Sequence, residues 1–397
     1  MGSGTVAVGS AVQSPTIGIV AGEASGDAIA AALISGVRAR IPGARFVGIA
    51  GPRMEAAGCE VWHPLEKLSV RGFVEVLGRL PDLFAVRGAL ARRLVAERVP
   101  LFVGVDAPDF NLGLEARLKR HGLRTIHFVS PSVWAWRRER IARISRSVDR
   151  MLALFPFEPA LYADAGIDVS FVGHPLAQQA ADGGARRRAR AQLRLGIAQP
   201  VFALLPGSRA SELDMHAQLV IDAAKGIHAA KPDARFLVPL ATRPTRDRFE
   251  AALYAHGAEG LPLTLLYGHA TDALRAADVA LVASGTASLE AAFARCPHLV
   301  FYRLNALTAR MVMRKLLVPW VSLPNVLAGR FVVPEFLQEE AVAANLVQAA
   351  VNLYDDTITR RRVEALFAGF GAKLRADTSA LAADAVIEEL QRAGAPC

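Results

Sequence analysis

Residues Thr16 to Asp27 read TIGIVAGEASGD, which is a short apolar run, a glycine turn and the start of a helical pattern. The same theme recurs along the chain. The further apolar runs are Arg45 to Ala50, Leu101 to Val105, Thr125 to Val129, Met151 to Phe155, Val201 to Leu205, Ala234 to Val238, Leu263 to Leu266 and Val279 to Val282. Strands that alternate with helices predict parallel sheets built from right-handed crossovers. Two such series predict an α/β protein with two doubly wound domains whose sheets face a central cleft.

The domain boundaries follow from changes in composition. A small, polar and Arg-rich stretch after Pro175 predicts a junction near residues 178–198. We therefore predict a flexible tail at 1–14, a first domain at 15–185 and a second domain at 186–375. The last segment, 376–397, carries an amphipathic helix pattern with Leu381, Val386 and Leu390 on its apolar side.

Composition narrows the functional classes. The chain has 397 residues, 52% hydrophobic and 21% charged, which excludes a largely disordered or fibrous protein. Its net charge of +9 favours a phosphate-bearing partner: nucleic acid, anionic lipid or a phosphorylated small molecule. Three scattered cysteines predict neither a disulfide framework nor a zinc site, and no apolar run has the ~18 residues of a spanning helix. We expect a cytoplasmic protein without metal or cofactor, attached to a membrane at most by its surface.

Two loops of the second half follow predicted strands and suit a diphosphate. The first loop is Ala283 to Glu290 (ASGTASLE). After Ser284, Gly285 lets the backbone come close to a ligand, and the predicted helix begins at Thr286, where free backbone amides suit a diphosphate. A carboxylate at Glu290, one turn later, can accept bonds from ribose hydroxyls. In the second loop (PGSR), Gly207 and Ser208 form a turn and Arg209 offers a charged fork for phosphate oxygens. Each loop could equally be an ordinary capped turn.

Two loops of the first half carry carboxylates instead. GEASGD lacks the G-x-G-x-x-G pattern of dinucleotide-binding proteins, and its Glu23 and Asp27 would repel phosphate. We therefore expect this loop to face hydroxyls or amides of a neutral sugar together with Ser25, and the alternative is a capped helix with Asp27 in its first turn. GVDAPDFN places Asp106 directly after a buried strand, where a partly shielded carboxylate can act as a general base. Asp109 could face the sugar or cap the next helix.

A third pair of segments is basic. Six arginines between Arg137 and Arg150 are spaced mostly three and four apart, which predicts one side of a helix, although no nucleic-acid motif accompanies them. The second segment, Phe73 to Phe84, has an apolar helical pattern with neighbouring arginines. Such a pattern is typical of an interfacial membrane contact or of packing on a sheet. Pro81 lies within this segment and predicts that it divides into two helices. Its apolar residues are Phe73, Val76, Leu77, Leu80, Leu83 and Phe84.

Nine motifs together resemble the lipid-A-disaccharide synthases. They are GEASGD, GPRMEAAGCE, GVDAPDFN, SPSVWAWR, FPFE, FVGHPL, LLPGSRASE, ASGTASLE and SLPNVLAGR, between Gly22 and Arg330. The resemblance implies a GT-B fold of two Rossmann-like domains, with the UDP-sugar held by the second and the acceptor and membrane met by the first. It also implies that the last helix returns to the first domain.

The implied reaction joins UDP-2,3-diacylglucosamine to 2,3-diacylglucosamine 1-phosphate (lipid X), with inversion and a β-1′,6 link, at the inner face of the inner membrane. Asp106 would be the base, Arg209 would stabilise the leaving UDP, and Ser208 and Asn325 would contact nucleotide or sugar. Met215 would join the apolar landing surface of Phe73 to Phe84. No nucleic acid is implied, and a homodimer stays open.

Two alternatives remain at this point. Another UDP-sugar enzyme, such as a peptidoglycan N-acetylglucosamine transferase or a 2-epimerase, would share the ASGTASLE-like loop but not SPSVWAWR. A non-catalytic membrane-surface or nucleic-acid binder would use the arginines and release no UDP.

Overall fold

The computed structural model describes residues 14–68, 73–305, 309, 310, 314 and 316–395, and for residues 73–80 the backbone alone. Contacts divide the chain into two compact units. Unit 1 is Met1–Pro175 with Ala376–Cys397, and unit 2 is Leu176–Arg375.

Unit 1 contains a parallel seven-stranded sheet in the order β3-β2-β1-β4-β5-β6-β7. Its strands are β1 Thr16–Ala21, β2 Arg45–Ala50, β3 Cys59–Pro64, β4 Leu101–Val105, β5 Arg124–Phe128, β6 Arg150–Ala153 and β7 Asp168–Phe171. The connecting helices are α1 Ala24–Arg40, α2 Pro52–Ala56, α3 Phe73–Ala96, α4 Pro108–Arg120, α5 Ile141–Ser147 and α6 Glu158–Tyr162. The central strands are buried on both faces, which explains their continuous apolar runs.

Two sequence predictions about the helices of unit 1 are wrong. α3 is one helix of 24 residues with Pro81 inside it, because its second half buries Leu90 and Leu94 against the sheet and outweighs the lost hydrogen bond. The arginines from Arg137 to Arg150 do not share one helix side. Arg137 has a left-handed backbone before a 3₁₀ turn, and Arg150 begins the buried strand β6.

Unit 2 repeats the architecture with six parallel strands in the order β10-β9-β8-β11-β12-β13. The strands are β8 Val201–Leu205, β9 Arg235–Leu240, β10 Leu263–Tyr267, β11 Val279–Ala283, β12 His298–Tyr302 and β13 Glu335–Leu337. The helices are α7 Ala185–Gln192, α8 Ala210–Ala230, α9 Arg243–Ala255, α10 Ala270–Ala276, α11 Thr286–Phe293, α12 Leu323–Ala328, α13 Ala343–Asp355 and α14 Thr357–Leu374. The two parallel sheets confirm the predicted α/β fold class.

The last helix, α15 Thr378–Arg392, belongs to unit 1. The Ser379 hydroxyl donates to the carbonyl of Ala32 in α1 at 2.7 Å. Glu389 is fully buried, and Arg124 of β5 donates to its carboxylate at 2.7 Å. A buried carboxylate needs such a partner, so this ion pair fixes where α15 lies on unit 1.

Candidate active site

In unit 1, the two carboxylate loops lie side by side at the carboxyl edge of the sheet. β1 and β4 are adjacent, with Ala21 paired to Val105, so the loops that follow them begin at the same level. A Cβ at Gly22 would lie 2.2 Å from the Cβ of Ala107, which leaves room only for glycine. This close approach brings Glu23 and Ser25, both exposed, next to the loop that carries Asp106.

Asp106 has an unusual backbone. Asp106 and Ala107 have φ of 55° and 44°, a left-handed conformation that costs energy for residues other than glycine. The surroundings hold it: the Asp106 amide donates to Phe128 at 2.8 Å, and its carbonyl accepts from the Asn111 side chain at 2.8 Å. The half-buried carboxylate of Asp106 is thus fixed at the end of β4.

A buried polar cluster that sequence reasoning missed underlies this loop. The imidazole Nδ1 of His127 lies 2.7 Å from Glu115 Oε1, and both side chains are fully buried. Gly104 makes space for them, since a Cβ there would lie 2.2 Å from Glu115 Oε1. Burial raises the pKa of Glu115. Within the described residues, Glu115 Oε2, His127 Nε2 and Asn111 Oδ1 have no partner. A glycine and a histidine within apolar strands were the available sequence signals.

The remaining carboxylates predicted for the acceptor side have partners of their own. The buried carboxylate of Asp27 accepts from the backbone amides of Gly51, Arg53 and Met54 at 3.0–3.1 Å, and so caps α2. The Asp109 side chain is 82% exposed and accepts from Arg140 at 2.8 Å. Their contact with a sugar stays a prediction, and the cap gives Asp27 a structural role as well.

In unit 2, the loop after β8 presents Arg209. The backbone amides of Ser208 and Arg209 donate to Glu212 Oε2 at 2.8 and 3.1 Å, so a carboxylate of α8 already occupies the turn. Gly207, at φ 131°, has no room for a Cβ beside Glu212. The Arg209 guanidinium lies 3.7 Å from Glu212 and is 65% exposed. The side chain of Arg209, rather than the amides of this turn, is therefore what the loop offers an anion.

His216 connects this loop to the end of β12. Its Nδ1 donates to the Pro206 carbonyl at 2.9 Å, and its Nε2 accepts from the amide of Arg303 at 3.0 Å. Burial lowers the pKa of His216, which favours the neutral ring that both bonds require. Sequence reasoning missed this residue, because a single histidine within a helix gives no distinctive signal.

The loop after β11 leads through Gly285 into α11, and its predicted contact with a diphosphate stays a prediction. Gly285 has φ 145°, and a Cβ there would meet nothing within 4 Å. Ser284 donates its amide to Phe301 at 3.0 Å, and Thr286, exposed, begins α11, whose first amides have no preceding helical turn to bind. Glu290 follows one turn later, half-buried, and burial raises its pKa.

Asn325 is fully buried at the start of α12. Its Oδ1 accepts from Val332 and Val333 at 2.7 and 2.8 Å, and its Nδ2 donates to Val333 and Glu335, both at 2.8 Å. These bonds hold the loop before β13. Its predicted contact with nucleotide or sugar stays a prediction.

The predicted membrane-facing residues are described only in part. The side chains of Phe73, Val76, Leu77 and Leu80 lie outside the described part of the structure. Leu83 is half-buried, whereas Phe84 is 56% and Met215 41% exposed. Among the helices that the structure describes, none is both long and apolar enough to cross a bilayer.

No group of three or more His, Cys, Asp or Glu side chains suited to a metal occurs among residues 14–395 outside the gaps given above.

Solved structures define the class of fold. The chain resembles the UDP-GlcNAc 2-epimerase of Neisseria meningitidis bound to UDP-GlcNAc, with TM-score 0.59, 11% identity, and coverage of 95% of this chain and 99% of that one. It also resembles the glycotransferase of kitacinnamycin, with TM-score 0.60, 17% identity, and coverage of 95% and 99%. At these identities the likeness concerns the fold, which is GT-B-like.

Sequence comparison defines the family. The profile of the family described as lipid-A-disaccharide synthetase matches residues 17–386. The lipid-A-disaccharide synthase of Chromobacterium violaceum is 50% identical over 372 residues, 94% of this chain and 96% of that protein. That of Dechloromonas aromatica is 49% identical over 382 residues, 96% and 99% of the two chains. The chain belongs to this family, which confirms the resemblance drawn from its motifs.

Proposed function

We propose that the chain transfers 2,3-diacylglucosamine from UDP-2,3-diacylglucosamine to lipid X in lipid A biosynthesis. The products are the β-1′,6-linked disaccharide 1-phosphate and UDP. The observation that carries this proposal is the family match over residues 17–386, supported by relatives about half identical over nearly the whole chain. The epimerase alternative rests on the fold alone and lacks this support.

Asp106 is the proposed general base. A sugar hydroxyl is a weak nucleophile at neutral pH, so removal of its proton as it attacks contributes ~10²–10⁴-fold. The Asp106 carboxylate takes the proton of the acceptor 6-hydroxyl as the oxygen bonds to the donor anomeric carbon. The bond from that carbon to UDP breaks, and its electron pair leaves with the diphosphate. A single displacement inverts the anomeric carbon.

Unit 2 supplies the proposed stabilisation of the leaving group. Negative charge develops on the departing diphosphate, where an oriented guanidinium and helix amides act without reorganisation. The exposed fork of Arg209 and the helix start at Gly285 and Thr286 are suited to that task. Ser208 and Ser284 flank the same groups, and Glu290 accepts from the ribose. In this proposal no metal takes part.

The protein works at the surface of an anionic membrane in this proposal. Both substrates carry acyl chains, and the net charge of +9 attracts anionic lipid. α3 carries apolar residues beside Arg87, whose guanidinium lies 4.8 Å from the ring of the exposed Phe84. This pairing of aromatic and basic side chains is typical of an interfacial helix.

The decisive experiment incubates the protein with both acylated substrates, with and without excess chelator, and analyses products by mass spectrometry. We expect UDP and the disaccharide 1-phosphate in equal amounts in both conditions. Release of UDP without a disaccharide would contradict the transferase activity, and loss of activity with chelator would contradict the metal-free mechanism. An acceptor-independent change of the donor sugar would instead favour an epimerase.

A further inference from the structure

The loop after β5 forms a small basic cleft that the proposed mechanism has not used. It comprises the motif SPSVWAWR and the residues that follow it. The cleft is shallow and is lined by Pro131, Ser132, Val133, Trp136, Arg137 and Arg140. It belongs to unit 1, as do β4 and the loop that carries Asp106.

The cleft lies beside the proposed base. β5 pairs with β4 in parallel, with Phe128 opposite Val105, so the loops after both strands leave the same edge of the sheet. A direct contact joins them, because Arg140 donates to Asp109 at 2.8 Å and Asp109 is three residues after Asp106. A small molecule bound in this cleft would therefore also lie close to the loop that carries Asp106.

Two guanidinium groups are held in place there. The guanidinium carbon of Arg137 lies 4.3 Å from the centre of the Trp136 ring, and that of Arg140 lies 6.0 Å from it. Stacking on a ring engages the face of a guanidinium and leaves its N–H edge for an acceptor. Arg140 uses one of its five N–H groups on Asp109 among the described residues, so most of its donors remain for a ligand.

We infer that Arg137 and Arg140, oriented by Trp136, bind a phosphomonoester, and that this ligand is the 1-phosphate of the acceptor sugar. A planar fork suits phosphate oxygens, and two forks match a dianion. The inference rests on the proposed function, which requires an acceptor bearing a phosphate next to the base. On this inference the two arginines select acceptors that carry the 1-phosphate, because an acylated sugar without the phosphate would not pair with them.

The test varies the protein and the acceptor together. Arg137→Ala, Arg140→Ala and the control Arg138→Ala, an exposed neighbour, are assayed with lipid X and with the same diacylglucosamine lacking its phosphate. Hydrogen bonds to charged groups contribute enough that we expect KM for lipid X to rise roughly 10- to 100-fold in the first two variants. Their kcat, their KM for the donor and their rates with the dephosphorylated acceptor should match the wild type. Arg140→Lys should recover only part of the loss, since it lacks the fork.

Three results would overturn the inference. The first is an unchanged KM for lipid X in variants whose melting temperature is that of the wild type. The second is an equal loss with both acceptors. The third is a loss that follows reduced binding to phosphatidylglycerol vesicles, which would assign the arginines to lipid headgroups. If the wild-type chain transfers to neither acceptor, the proposed function fails as well, whereas transfer with any of these three results removes this inference alone.

Discussion

Two loops at the carboxyl edge of each sheet occupy similar places in the architecture and have opposite chemistry. In unit 1 the loops after β1 and β4 present carboxylates, of which Asp106 is fixed by a left-handed backbone. In unit 2 the loops after β8 and β11 present Arg209 and the start of α11. Parallel sheets place loops at one edge whatever their sequence, so the loop residues alone decide whether the edge suits a proton acceptor or an anion.

The largest expected effect comes from removing the carboxylate of unit 1. Asp106→Asn should lower kcat at least ~10²-fold because the general base is lost, while UDP affinity stays that of the wild type. Asparagine tolerates left-handed φ well, so this change adds little backbone strain at φ 55°. Asp164→Asn, an exposed carboxylate of the same unit, is the matched control and should be neutral. Wild-type turnover in Asp106→Asn would remove this contrast between the units.

The next effect tests the positive edge. Arg209→Ala should weaken UDP binding and lower the rate, each roughly 10-fold or more, because a charged hydrogen bond to the diphosphate is lost. Calorimetry with UDP and steady-state kinetics measure the two quantities. Arg243→Ala, an exposed arginine that begins α9 in the same unit, should change neither. If Arg209→Ala lowers the rate and leaves UDP affinity intact, the diphosphate assignment is wrong.

A third prediction concerns the stability of the units against acid. Burial lowers the pKa of His174 in unit 1 and of His298 in unit 2 to about 4. Each ring is neutral in the folded protein and takes up a proton when the protein unfolds below the ordinary pKa of ~6.5. The contribution of each ring to the free energy of unfolding is therefore present above pH ~6.5 and is lost as the pH falls towards 4. Between pH 7 and pH 5, each of the two histidines should lower the free energy of unfolding by about 2 kcal/mol.

The variant His298→Phe removes the titrating histidine of unit 2 and leaves His174 of unit 1 in place. The ring centres of His298 and Phe367 lie 5.4 Å apart, so phenylalanine at position 298 keeps an aromatic ring beside Phe367. The variant should lose less stability between pH 7 and pH 5 than the wild type, by about 2 kcal/mol in urea titrations. An unchanged pH dependence would show that His298 does not titrate on unfolding as expected.

The smallest expected effect on chemistry concerns the membrane. The combined change Val76→Ser, Leu77→Ser and Leu80→Ser should reduce sedimentation with anionic vesicles, while the rate on substrates in detergent changes little. The same change to a core segment would unfold the protein, as circular dichroism would reveal. Unfolding would therefore show that this part of α3 packs on the sheet.

The sequence predicted most of the strands that are buried on both faces, because such strands produce uninterrupted apolar runs. It missed β12, which is buried except at Tyr302, and it predicted β10, an edge strand without a buried residue. β1, β2, β4 and β8 have the predicted bounds. β3, β7, β12 and β13 were not predicted. β3, β7 and β13 lie at the edges of the sheets, where β7 and β13 are only half-buried, and their residues carry no continuous apolar pattern.

The sequence by itself determined the family, the two parallel sheets and the loops that carry charge, because these depend on local pattern and on motifs contiguous in the chain. Only the tertiary structure decided which partners those charges have. In the folded protein, Glu212 accepts from the amides of Ser208 and Arg209. Asp27 accepts from the amides at the start of α2, and Glu115 pairs with His127 beneath the Asp106 loop. Such pairs join side chains to groups on other turns and strands, and their energies depend on burial, which no stretch of sequence records on its own.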